Sequence, residues 1–178
     1  MRPMRCFAAI LVCLFAAAPL LAQKEKREPL TDAQIEQIRE SGINPNQRVG
    51  LYTQFLNEHA DVIKGLTNRA KSAARSRRLD NELQDFTALM DELGSNLDVF
   101  SDRKADIRNA LKPLNESIPR WQGILRTLAG EPGFDLARKE AIESSEDLAD
   151  QAKRLLQEQT EYFKLHKDEA GQDRAEPK

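Results

Sequence analysis

Two histidines have the widest chemical range in this chain, His59 and His166. An imidazole ligates metals, moves protons near neutral pH and orients nucleophiles. Neither sits in a motif that completes such a task. Glu58-His59 lacks the second histidine of a zinc-protease helix. The positions three residues before each histidine, where a di-iron bundle needs Glu, hold Leu56 and Phe163. The chain also has no phosphate-binding or dinucleotide-binding glycine pattern and no serine nucleophile elbow. A non-catalytic protein is therefore the expectation. One arrangement would still give the histidines a shared role. If a helical turn centres near residue 77 and another near residues 131–132, unslipped hairpins bring His59 level with residue 96 and His166 level with residue 97. The pair would then face each other beside Leu97 and Phe100, where two imidazoles can hold a haem iron or a metal. No other cofactor is implied.

A second group of residues is electrostatic. Arg69, Lys71, Arg75, Arg77 and Arg78 crowd ten positions. They form a candidate anion-binding tip for lipid headgroups, envelope polysaccharide or an acidic partner. If they close a helix, the same charges also complement its dipole. Asp80, Glu82 and Asp85 follow and are placed to neutralise part of the cluster.

The elements that must position these residues are helices throughout. Thr31 begins a capping box with Gln34, Ile35 and Ile38 give a short helix one apolar face, and Gly42 ends it. Asn44-Pro45-Asn46-Gln47 is a second start signal. From there Val49, Tyr52, Leu56, His59, Ile63, Leu66, Ala70 and Ala73 alternate spacings of three and four, which predicts a helix over about 45–76. A heptad frame then runs from Leu79 to Leu128, with Lys104 as its only polar member. Pro113 and Pro119 fall inside this run, so one helix over 79–129, kinked near the prolines, competes with two helices divided at 113. Gly130-Glu131-Pro132-Gly133 is a turn, and a last helix spans about 134–167. The predicted fold is all-α: an elongated antiparallel bundle of three long amphipathic helices, the third kinked or split near Pro113–Pro119, plus a short N-terminal helix. Phe55, Phe86, Phe100, Trp121 and Tyr162 fall at core spacing; in an open bundle they would line a groove instead.

The segment Leu30-Thr31-Asp32-Ala33-Gln34 resembles the LTxxQ motif of small helical periplasmic chaperones and envelope-stress proteins of the Spy type. The likeness covers five residues and occurs once, where that family carries it twice. It implies an exported, all-helical protein that binds unfolded clients on a concave face.

The chain ends fit that compartment. Arg2 and Arg5 precede an apolar run from Cys6 to about Ala18, and Pro19 and Ala22 follow. Charge, short apolar core and small residue in this order predict a bacterial-type signal peptide, residues 1–22, cut after Ala22. Both cysteines, Cys6 and Cys13, leave with it, so no disulfide is expected. Lys and Arg then fall from 27 to 25 against 29 Asp and Glu, a net charge of −4. That balance argues against nucleic acid as a partner. Residues 23–30 are expected to be a flexible lead-in, 31–167 the helical domain and 168–178 a disordered charged tail. The product would be periplasmic or extracellular, without an integral membrane span. It would act through protein partners in the envelope as a chaperone or adaptor, with self-association possible along the heptad seam. The alternative is a small-ligand, haem or metal bundle using His59 and His166.

Overall fold

The computed structural model describes residues 28–42 and 44–171. The expected signal peptide, most of the lead-in and residues 172–178 lie outside the described residues. Among the described residues there are five α-helices: α1 (Asp32–Glu40), α2 (Pro45–Thr67), α3 (Ala73–Asp102), α4 (Arg108–Thr127) and α5 (Asp135–Leu165). The all-helical bundle of the sequence reading stands, but the third helix is two helices, and its second helix is shorter than expected.

Helix α2 stops at Thr67, nine residues before the expected end. At 1.5 Å per residue its 23 residues span about 34 Å. Asn68 closes it, and four residues later Ser72 starts α3 by accepting the Arg75 amide hydrogen on its hydroxyl at 3.2 Å. Two short polar residues, each able to bond the backbone locally, override the period that Ala70 and Ala73 continue.

Helix α3 stops at Asp102, eleven residues before Pro113. Lys104 is left-handed, with φ 54°. The Lys104 amide donates to the Ser101 carbonyl and the Ala105 amide to the Phe100 carbonyl, both at 2.9 Å. These are the two bonds of a Schellman cap, with lysine where glycine usually stands. The lone polar residue of the heptad frame thus marks a chain reversal. The prolines instead lie inside α4. Both face solvent, as does Asn109, whose carbonyl loses a helical partner to Pro113 at a position open to water.

Helix α2 packs on α3 and α4, and α5 packs on α3 and α4. The pairs α2/α5 and α3/α4 therefore lie across the diagonals of a four-helix square. The turn at 68–72 makes α2 and α3 antiparallel, and the turn at 128–134 does the same for α4 and α5. The connection 103–107 crosses a diagonal, so α2 runs parallel to α4 and α3 parallel to α5. Cross-links confirm both directions: Asn46 reaches Ala110 while Asn57 reaches Trp121, and Ser144 reaches Asp91 while Gln159 reaches Ile107.

The heptad seam closes inward. Phe55, Phe86, Phe100 and Trp121 are buried, and Tyr162 is half-buried. Trp121 meets Phe86 edge to face at 5.8 Å and donates its indole hydrogen to Asn57 Oδ1 at 2.8 Å. Tyr52, also buried, donates its hydroxyl to Glu92 of α3. Burial pushes that hydroxyl above its ordinary range, and the adjoining carboxylate adds to the effect. Among the described residues no helix is long and apolar enough to cross a membrane.

Candidate functional site

Moving the first turn from residues 77–78 to 68–72 resets the register of α2 against α3. His59 now meets Glu82 rather than residue 96: its Nδ1 is 3.1 Å from Glu82 Oε2, with both side chains about 15% exposed. His166 is elsewhere. It closes α5 at the opposite end, stacked on Tyr162 at 4.1 Å between ring centroids, with Nδ1 2.9 Å from the Tyr162 carbonyl. That end also holds Asn46, whose amide donates to the Asp106 carbonyl at 2.7 Å. Thirteen residues of α2 separate Asn46 from His59, which is about 20 Å along the axis. The structure therefore does not bring His59 and His166 together, and they also stand on diagonal helices. Among the described residues no three potential ligands from His, Cys, Asp and Glu gather as a metal group.

What the structure does build at His59 is an open cleft of about 340 Å³ beneath α1. Leu30 and Val62 supply apolar surface, and Glu28, Glu58, Glu82 and Asp85 supply carboxylates around the imidazole. Thr31 and Gln34 form the rim from the α1 side. The capping box fixes that rim: the Thr31 amide donates to Gln34 Oε1 at 2.9 Å, and the Gln34 amide donates to Thr31 Oγ1 at 3.3 Å. Gln34 Nε2 then donates to Glu58 Oε2 at 3.1 Å, tying α1 down to α2. An imidazole oriented by a carboxylate is half of a general-base device. The hydroxyl lining the same cleft, on Thr31, is already committed to Gln34 Oε1 at 3.0 Å. The cleft is thus better equipped to hold a cationic group beside a small apolar one than to activate a nucleophile.

The basic cluster is divided. Arg75 is 7% exposed and structural: its Nε donates to the Leu66 carbonyl at 2.9 Å, capping α2, and its Nη1 donates to Glu131 Oε1 at 3.1 Å. Lys71 reaches the same Glu131 oxygen at 3.4 Å. Burial works to raise the Glu131 carboxyl, but hydrogen bonds from Arg75 and Lys71 outweigh it and hold the group below its ordinary range. Arg69, Arg77 and Arg78 are exposed and make no side-chain bond or ion pair with any described residue. Asp80 accepts from Gln84 at 2.8 Å, and Glu82 faces His59.

Sequence reasoning missed Glu131 and Glu82 as partners, because both pairings depend on where the turns fall. It also missed Gln159, a polar residue on the buried stripe of α5 between Leu155 and Phe163. That interruption was the available signal. No protein-family model matches this chain, and no curated protein or solved structure matches it.

Proposed function

We propose that this is an exported, non-catalytic protein of the cell envelope that works by binding other proteins, as a chaperone or adaptor does. Its cleft beneath α1 is the receiving site. One observation carries this reading: Leu30, Thr31 and Gln34, the residues of the chaperone-like LTxxQ segment, line the cleft together with His59 and its carboxylates. A floor of Leu30 and Val62 ringed by Glu58, Glu82 and Asp85 fits a protein segment that presents a cation next to an apolar side chain. Export rests on the order of charge, apolar run and small residue over 1–22.

A photo-cross-linking residue placed at Gln34, with Leu165 at the far end as the comparison position, tests the site in the native envelope. Adducts from position 34 but not 165, abolished by Glu58→Lys with Glu82→Lys, are the expected result. A single recurring partner would make the protein an adaptor, and many unrelated unfolded chains would make it a chaperone. Equal labelling from both positions, or none from either, would overturn the reading.

A further inference from the structure

The end of the bundle that carries the α2–α3 and α4–α5 turns differs in charge from everything below it. Residues 64–80 and 124–140 contain nine Lys and Arg against four Asp and Glu, a net charge of +5. The other described residues contain 11 Lys and Arg against 22 Asp and Glu, a net charge of −11. Helix α3 shows the change within one element. Arg75, Arg77 and Arg78 stand in its first two turns, and from Leu79 to Asp102 it has seven acidic residues and no basic one.

Local structure does not account for these cations. Had α2 run to residue 76, they would have complemented its C-terminal dipole. Arg75, Arg77 and Arg78 lie instead at the start of α3, where the dipole is positive and cations are unfavourable, and no acidic residue occupies that first turn; Arg69 stands just past the α2 C-cap. Arg75 and Lys71 are engaged by Glu131, while Arg69, Arg77 and Arg78 extend into solvent without a described partner. Arg77 and Arg78, which oppose their own helix and bond to no described residue, point to a complement outside the bundle.

We propose that this tip docks end-on against the anionic surface of a lipid bilayer, with the guanidinium groups of Arg69, Arg77 and Arg78 on lipid phosphates. Shape and charge favour a plane over a linear polyanion. The arginines stand in and just after the short turn that ends the bundle, whereas a polymer needs a groove that tracks it. The flanks of the bundle are net negative and are repelled by the same surface, so only the tip approaches and the rod stands upright. The cleft beneath α1 then remains open to solvent.

The test is co-sedimentation of the chain from Gln23 with vesicles of phosphatidylglycerol and phosphatidylcholine mixed equally, and with phosphatidylcholine alone. Binding to the anionic vesicles only, weakened by salt, is expected. At about fivefold per basic residue, Arg69→Gln, Arg77→Gln and Arg78→Gln together lower the partition coefficient on the order of 100-fold. Arg39→Gln, Lys153→Gln and Arg154→Gln, which remove the same charge elsewhere, change it only a few-fold, and circular dichroism confirms that both triples are folded. A fluorophore on Ala70→Cys is quenched by bilayer-embedded quencher while one on Leu165→Cys is not. Equal binding to both vesicles, equal loss in the two triples, or equal quenching at both positions would overturn the proposal. So would displacement by free glycerol phosphate at the lipid's own concentration, or stronger binding to a soluble polyanion than to the vesicles.

Discussion

At the end where α3 crosses to α4, polar groups are used up in building the fold. Gln159 of α5 reaches across the connection, accepting the Ile107 amide hydrogen at 3.0 Å and donating to the Ala105 carbonyl at 2.9 Å. Asn46 bonds the Asp106 carbonyl and the Ala110 amide. The Asp106 carboxylate takes the Arg108 guanidinium at 2.7 Å and the Gly171 amide at 3.0 Å, so residues expected to belong to the charged tail are tied to the crossover. Lys104 lies over Tyr162 and Arg108 over Phe163. At the opposite end one clamp, Arg75 with Glu131, holds the two turns together, and three arginines are left over. A diagonal crossover strands backbone groups that only specific side chains can satisfy. A short hairpin strands few, so the charge around it is available for other work.

The largest expected effect comes from breaking the crossover. Gln159→Leu keeps the volume but leaves the Ile107 amide and the Ala105 carbonyl buried without partners. A loss of about 2–4 kcal/mol in urea unfolding is expected. At the other end Arg75→Met keeps the aliphatic stem but removes the bonds to Leu66 and Glu131, for a loss of about 2 kcal/mol. If Arg75→Met proved the more damaging, the clamp and not the crossover would be the critical joint.

Acid sharpens the comparison, because folding holds carboxylates below their ordinary range at both ends: Asp106 at the crossover, and Glu131 and Asp135 at the turns. For Asp106 the Arg108 hydrogen bond is the main cause, opposed by burial and aided by the Gly171 and Arg108 amides. A depressed carboxyl stabilises the fold fully above its unfolded pKa, about 3.9 for Asp and 4.3 for Glu. That contribution is lost as pH falls through the lower folded value. The thermal midpoint should therefore decline below about pH 4. Asp106→Asn with Glu131→Gln should flatten this acid limb while lowering the midpoint at neutral pH. An unchanged acid limb in the double variant would assign it to other carboxylates.

These two ends also show what the sequence could and could not disclose. Apolar spacing identified the buried faces of the four long helices, because Leu, Phe and Trp at three-four intervals have no other place to go. It could not see where the chain turns back. Ala70 and Ala73 fit the period yet are exposed, and Ile107 and Leu111 stay in phase across a break whose left-handed residue is lysine instead of glycine. The prolines drew attention to the wrong place, since a proline on the solvent face of α4 frees a carbonyl that water can reach. Each error in a turn then moved a side chain to a new neighbour. A shift of the first turn by seven or eight residues sends His59 from Leu97 to Glu82 and turns an imagined ligand pair into a cleft. Gln159 was legible only as a gap in the α5 stripe, and its purpose depends on a crossover that no local pattern announces.

The smallest effect is the one that most directly separates the ends. If Arg77 and Arg78 have no structural role, Arg77→Gln with Arg78→Gln should leave stability unchanged or raise it by about 0.3–1 kcal/mol, because two cations leave the positive end of α3. The increment should be larger at low ionic strength, since the repulsion acts between exposed groups and salt screens it. Urea unfolding at low and high salt measures both quantities on the same protein. A loss above about 1 kcal/mol would mean that these arginines hold the fold after all, as Arg75 does. The tip would then be a second crossover in its use of charge, with nothing left over to meet a surface.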